Sequence, residues 1–246
     1  MAAERPVNRP LRLAEVVVER RARSQITPVF VPRPKGRTRP IGLPEEFVDC
    51  CRQAFHSLQF DDGFRVVGIT SAVFGDGKTS VAVGMTLAAA IDIGEPTLLV
   101  ECDLEQPAFS RIFGIEQAPG LADWVDGTEP MRCVRMAPLD NAFVMTAGTP
   151  GSDPARVFYE LTQRNYLDEL RHDYKNVIID LPPTLSTAYS QLACQLSDRI
   201  LLVARHDVTP IRDLQAVTRI VGDERLTGVV LNAYASRIPG WLRRLV

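Results

Sequence analysis

The sequence predicts an α/β fold, a parallel β-sheet with helices on both faces. Two observations lead there. Short, unbroken apolar runs rich in β-branched residues recur between residues 45 and 235, and helix-length segments alternate with them. Strands buried on both faces read as continuous apolar runs, and parallel neighbours need a crossover helix between them.

The elements follow in order. Glu45–Phe60 reads as a helix. Phe64–Thr70 (FRVVGIT) is a strand of β-branched residues, and Lys78–Ile93 is a helix rich in Ala and Val. Thr97–Cys102 (TLLVEC) and Asn141–Thr146 (NAFVMT) are strands, with a helix over Ala155–His172. Val177–Leu181 (VIIDL) is a strand, Thr184–Leu196 a helix, Arg199–Ala204 (RILLVA) a strand, Ile211–Val221 a helix and Leu226–Asn232 the last strand. The chain of 246 residues suits one large domain with appendages.

Composition narrows the function classes. Hydrophobic residues are 46% and charged residues 24%, which excludes a chain disordered throughout, a collagen and a disulfide scaffold. Five cysteines without a CxxC pair fit reduced cytosolic thiols rather than zinc. The segment MAAERPVNRP carries charge and no apolar run, so no signal peptide is expected. The longest apolar run, Val81–Ile91, is 11 residues, against about 20 for a membrane-spanning helix.

Charge is unevenly placed. Residues 1–44 hold 10 Lys and Arg against 3 Asp and Glu, with seven of the 18 prolines, whereas residues 45–246 hold 18 against 27. A basic, Pro-rich segment builds no core, so 1–44 is expected to be a flexible tail with a short helix over Leu11–Ala22. It suits docking on an acidic partner or an anionic bilayer face. The body is 45–235. A short basic tail, 236–246, places Trp241 among Arg237, Arg243 and Arg244, a pairing suited to a membrane surface or a partner. The acidic body and the lack of aromatic interleaving argue against nucleic acid.

The chemistry lies after the first body strand. Ser71-Ala-Val-Phe-Gly-Asp-Gly-Lys-Thr-Ser80 joins that strand to a helix. Glycines let a backbone curl until its N–H groups surround phosphate oxygens, and the helix N-terminus adds partial positive charge. Gly75, Asp76, Gly77, Lys78, Thr79 and Ser80 therefore form a candidate nucleotide loop, with Lys78 reaching the phosphates and Thr79 ligating Mg2+. Ala72 stands where the full G-x-x-x-x-G-K-[ST] pattern has its first Gly. Asp180, ending the strand VIID, is the Walker B candidate that holds Mg2+. Glu101 and Asp103 end another strand at i and i+2, so one can orient a nucleophile while the other serves the metal.

Residues 40–235 resemble the cytoplasmic domain of bacterial tyrosine kinases (BY-kinases), P-loop ATPases of the CpsD/CapB type in capsule and exopolysaccharide assembly. ITSAVFGDGKTS, LLVECDLEQPAFSRIFG, GLADWVDGTEP, VMTAGTPGSDPARVF, DYKNVIIDLPP, SDRILLVARHDVT and GVVLNAY carry the resemblance in order. It implies a P-loop NTPase fold binding ATP and Mg2+. It also implies Lys78 and Thr79 on phosphate and metal, Asp103 and Asp180 serving the metal, Glu101 at the general-base position, Asn232 at an adenine contact and Arg205 on the nucleotide side. The implied partner is a membrane-embedded chain-length regulator, a polysaccharide copolymerase. A homo-oligomeric ring and a place on the cytoplasmic face of the cell membrane are implied too.

The departures are specific. The motif's first Asp is Glu101 and its Arg is Glu105; the ring helix E-x-x-R-x-x-R reads Asp49, Arg52, Phe55; and the final 12 residues hold no tyrosine cluster. An ATP-binding regulatory subunit with weak or no transfer activity is the alternative. A septum-site or partition ATPase is a further one, but those carry a Lys where Val73 stands.

Overall fold

The structure, a computed structural model, describes residues 16–19, 26–31, 39–58, 65–92, 94–137 and 140–234. The strands are β1 (Val16–Glu19), β2 (Ile26–Val31), β3 (Arg39–Pro44), β4 (Arg65–Ser71), β5 (Thr97–Glu101), β6 (Val134–Met136), β7 (Ala142–Met145), β8 (Asn176–Asp180), β9 (Arg199–Arg205) and β10 (Leu226–Tyr234). The helices are α1 (Glu45–Ser57), α2 (Lys78–Asp92), α3 (Phe109–Phe113), α4 (Leu121–Val125), α5 (Pro130–Cys133), α6 (Pro154–Gln163), α7 (Tyr166–Glu169), α8 (Ser190–Cys194) and α9 (Ile211–Val221).

Among the described residues, the main sheet runs β1-β10-β9-β4-β8-β5-β7-β6. Its strands are parallel except β6, which returns antiparallel on β7. Side chains alternate across it with the period of two that a pleated strand imposes. Val177 and Ile179 of β8 pack on one face with Phe158, Leu161, Trp124 and Val217. Ile178 between them packs on the other with Val81, Met85 and Phe109. The expected parallel α/β architecture is therefore the fold.

Helix α2 is apolar nearly all round because both its sides are covered, by the sheet and by α1. Gly84 lets α1 come close: a Cβ there would lie 2.6 Å from Cys51 Sγ and 2.8 Å from the Phe47 ring.

Three expected elements differ. Residues 16–19, inside the helix expected over 11–22, form strand β1, parallel to β10, and β2 and β3 pair as an antiparallel hairpin. The rest of that expectation lies outside the described residues, as does the tail beyond residue 234. The helix expected over 155–172 breaks after Gln163, where Asn165 turns left-handed at φ 49°, and resumes as α7 and a 3-10 turn. The helix expected from Thr184 starts only at Ser190. The segment before it docks on the loop after β4, with Thr184 and Leu185 N–H donating to the carbonyls of Ser71 and Ala72 at 2.8 and 3.0 Å, and the Thr184 carbonyl accepts Ser190 Oγ at 2.8 Å.

Candidate functional site

The loop expected to bind phosphate hangs between β4 and α2 at the carboxyl edge of the sheet. Gly75 and Gly77 adopt φ of 90° and 98°, a region that side chains strain to reach. Ala72 is fully buried beneath the loop. Its carbonyl and that of Ser71 are tied to the segment following β8, and Thr70 Oγ1 donates to the Pro182 carbonyl at 2.8 Å. The segment after the Walker B strand thus braces the loop from below, a role the sequence analysis did not assign to it.

Lys78 opens α2 and points back over the sheet edge. Its Nζ donates to Asp103 Oδ2 at 2.9 Å and lies 3.6 Å from Asp180 Oδ1. Thr79 Oγ1 donates to Asp180 Oδ2 at 2.7 Å. Strand register makes this convergence possible, because Glu101 pairs with Asp180 across β5–β8 and Ile69 pairs with Asp180 across β4–β8. All three charged groups are buried, with Lys78 at 7% exposure, Asp103 at 2% and Asp180 at 1%. Burial opposes the Lys78 charge, but Asp180 and Asp103 outweigh it and its pKa is raised. Burial pushes the Asp180 carboxyl up to about 6, against the pull of Lys78 and Thr79, while Asp103 and Glu101 push the same way as burial.

Glu101 turns elsewhere. Its Oε1 accepts the N–H groups of Ala108 and Phe109, the latter at 2.7 Å, and its Oε2 accepts Ala147 N–H at 3.0 Å. Burial raises its pKa, and these backbone bonds act against the rise. The carboxylate expected to act as a base is therefore occupied in pinning the start of α3 and the loop after β7.

The remaining expected residues are scattered in role. Asp76 is buried, and its Oδ1 accepts Thr209 Oγ1 at 2.8 Å. Asn232, expected at an adenine contact, donates from Nδ2 to the Asp76 carbonyl at 2.8 Å and stands against Gly77, where an added Cβ would meet it at 2.0 Å. Arg205 is exposed at the end of β9, paired in register with Asn232, and its backbone N–H donates to Thr209 Oγ1. Ser80 is exposed on α2. Thr209 was not singled out from sequence; its one signal is a hydroxyl just before Pro210, at the start of α9.

No family model matches the chain. Curated relatives do. The chain is 29% identical over 171 residues to the tyrosine-protein kinase YwqD of Bacillus subtilis, covering 68% of this chain and 70% of YwqD. Among solved structures, the VpsO kinase domain is 31% identical, covering 70% of this chain and 85% of that domain, with a TM-score of 0.64. The chain belongs to the bacterial tyrosine-kinase (BY-kinase) family.

The kinase domain of Escherichia coli tyrosine kinase Etk aligns over 89% of this chain and 85% of that domain, at 21% identity and a TM-score of 0.72. The septum-site protein MinD of Pyrococcus horikoshii, solved with Mg-ADP, shares the fold over 74% of this chain and 76% of MinD, at 21% identity and a TM-score of 0.59. Some relatives are far longer: AmsA of Erwinia amylovora is 24% identical over 197 residues, which is 79% of this chain but 27% of AmsA. Against the BY-kinase pattern, Arg52 of α1 is engaged within the subunit, paired with Asp49 and with Asp92 at 2.5 Å. Among the described residues no helix is long and apolar enough to cross a membrane.

Proposed function

We propose that this BY-kinase-like P-loop protein binds Mg-ATP and works in capsule or exopolysaccharide assembly. In this reading it sits on the cytoplasmic face of the cell membrane beside a membrane chain-length regulator. The observation that carries the proposal is the convergence of Lys78, Thr79, Asp103 and Asp180 beneath a glycine loop at one sheet edge. The printed names of its relatives supply the tyrosine-kinase setting.

The donor set fits Mg2+. Asp180 Oδ1 is buried without a hydrogen-bond partner among the described residues, and Thr79 offers a hydroxyl beside it. Magnesium keeps most of its waters and needs only one or two carboxylates plus phosphate, so the absence of a three-ligand cage among the described residues suits it. Thr79, Asp180 and Asp103 would hold the ion, which neutralises charge on the phosphates when bound. Lys78, held in place by two carboxylates, is the cation for the terminal phosphates. The N–H groups of the loop from Gly75 to Thr79 provide the cradle.

A specific observation favours a second reading. Glu101 is fully engaged by three backbone N–H groups, which leaves the general-base position without a free carboxylate. This supports a regulatory ATP-binding subunit of weak transfer activity, in which Glu101 is a positioning residue. Acceptors are limited too. Tyr166, Tyr174 and Tyr189 are buried, whereas Tyr159 on α6 is 55% exposed.

The deciding experiment incubates the chain with Mg-ATP and follows ADP release and intact mass beside Lys78→Met and Glu101→Gln. A kinase gains phosphate, mapped to Tyr159 or to Tyr234, and loses that gain in Lys78→Met. Bound nucleotide without added mass selects the regulatory reading. A chain that binds no nucleotide refutes both.

A further inference from the structure

A carboxylate inside a phosphate-binding loop poses an electrostatic problem. Asp76 lies between Gly75 and Gly77, where the loop's N–H groups must gather around anionic oxygens. A free carboxylate there would repel the ligand it is meant to help enclose. The structure turns it aside. Asp76 is 2% exposed, and its Oδ1 accepts from Thr209 Oγ1 at 2.8 Å. Its Oδ2 has no hydrogen-bond partner among the described residues, so that hydroxyl is its side-chain donor there.

The direction of the bond is fixed by counting protons. Thr209 Oγ1 accepts the Arg205 backbone N–H at 2.8 Å, so its single proton is free to point at the carboxylate. The turn that carries Thr209 is itself held. Thr209 N–H and Val208 N–H both donate to the Arg205 carbonyl, at 2.9 and 3.1 Å, and Asp207 adopts φ 56°. The Asp76 carbonyl is gripped on its other side by Asn232 Nδ2.

From this chain of contacts we propose that Thr209 is a positioning residue for the phosphate loop. Its hydroxyl draws the Asp76 carboxylate out of the anion cradle and so sets the nucleotide affinity of the site. The inference rests on the Mg-ATP reading above. It makes the β9–α9 turn part of the binding machinery through the Thr209 hydroxyl.

The test is calorimetric titration of Mg-ADP into the full chain and four variants: Thr209→Val, Thr209→Ser, Asp76→Asn and the Thr209→Val/Asp76→Asn double variant. A hydrogen bond to a charged group sets the scale, so Thr209→Val should weaken binding about 10- to 100-fold. Thr209→Ser, which keeps the hydroxyl, should restore affinity to within about threefold of wild type. In the Asp76→Asn background the valine substitution should change affinity by less than about threefold, because no charge is left to hold aside.

Thermal melting of each variant separates a loss of fold from a loss of affinity, and Thr209→Ala carries the same test should the valine variant not fold. Wild-type affinity in Thr209→Val, or an equal loss with and without Asp76, would overturn the proposal. A wild-type chain that binds no Mg-ADP would instead overturn the nucleotide reading, and the positioning role would go with it.

Discussion

Asp180 is a buried carboxyl with a cation on one side and two further acids nearby, and its chemistry is set by which neighbour dominates. Burial dominates, lifting its pKa from 3.8 to about 6. The native state therefore binds this proton more tightly than the unfolded chain does. Its contribution to stability is full below about pH 4 and is lost as pH rises through about 6. Asp180→Asn, which cannot ionise, should flatten this part of the stability–pH profile, measured by urea unfolding between pH 4 and 8 without Mg2+. A profile equally steep in the variant would assign the dependence to another group. Binding Mg2+ requires the ionised carboxylate, so metal affinity should fall as pH drops below about 6. Glu101 is pushed in the same direction by burial, although three backbone N–H donors act against the rise and tie the carboxylate to the backbone.

Among the elements, α2 carries the candidate phosphate-binding residues and is buried along most of its length. It carries Lys78 and Thr79 at its first turn, and its later turns are locked between the sheet and α1. The close approach at Gly84 leaves no room for a side chain, since a Cβ there would already lie 2.6 Å from Cys51 Sγ. Gly84→Val should therefore cost about 1–3 kcal/mol through forced repacking, read as a lower urea midpoint. An unchanged midpoint would mean that α1 can move off α2 freely. The strand–loop–helix unit was legible in sequence because its glycines, Lys78 and Thr79 are contiguous. The late start of α8 was not: Thr184 and Leu185 dock on the carbonyls of Ser71 and Ala72, residues more than 110 positions away, and that contact lies in the path of the chain before Ser190. No local pattern encodes such a contact.

For the whole molecule, the carboxyl edge of the sheet gathers groups from β4, α2, β5 and β8 that are dispersed over a hundred residues. A ligand that binds only this assembled edge stabilises the entire domain by mass action. Mg-ADP at about 100 times its dissociation constant should add about 2.7 kcal/mol, a rise of roughly 5–10 °C in melting temperature for a chain of this size. Lys78→Met should show no such rise. A wild-type chain with an unmoved melting temperature would refute nucleotide binding at this edge. The sequence alone specified the parallel α/β fold and most of the body strands, and it singled out Lys78, Thr79, Asp103 and Asp180 as candidates. Those features are local, written in periodicity and in residues adjacent along the chain. What the carboxylates contact emerges on packing: Lys78 reaches Asp103 and Asp180, Glu101 clamps backbone, and Asp76 is held by Thr209, 133 positions away. The direction of a side chain and its protonation depend on burial and on partners. Both are properties of the packed chain, and no spacing in sequence carries them.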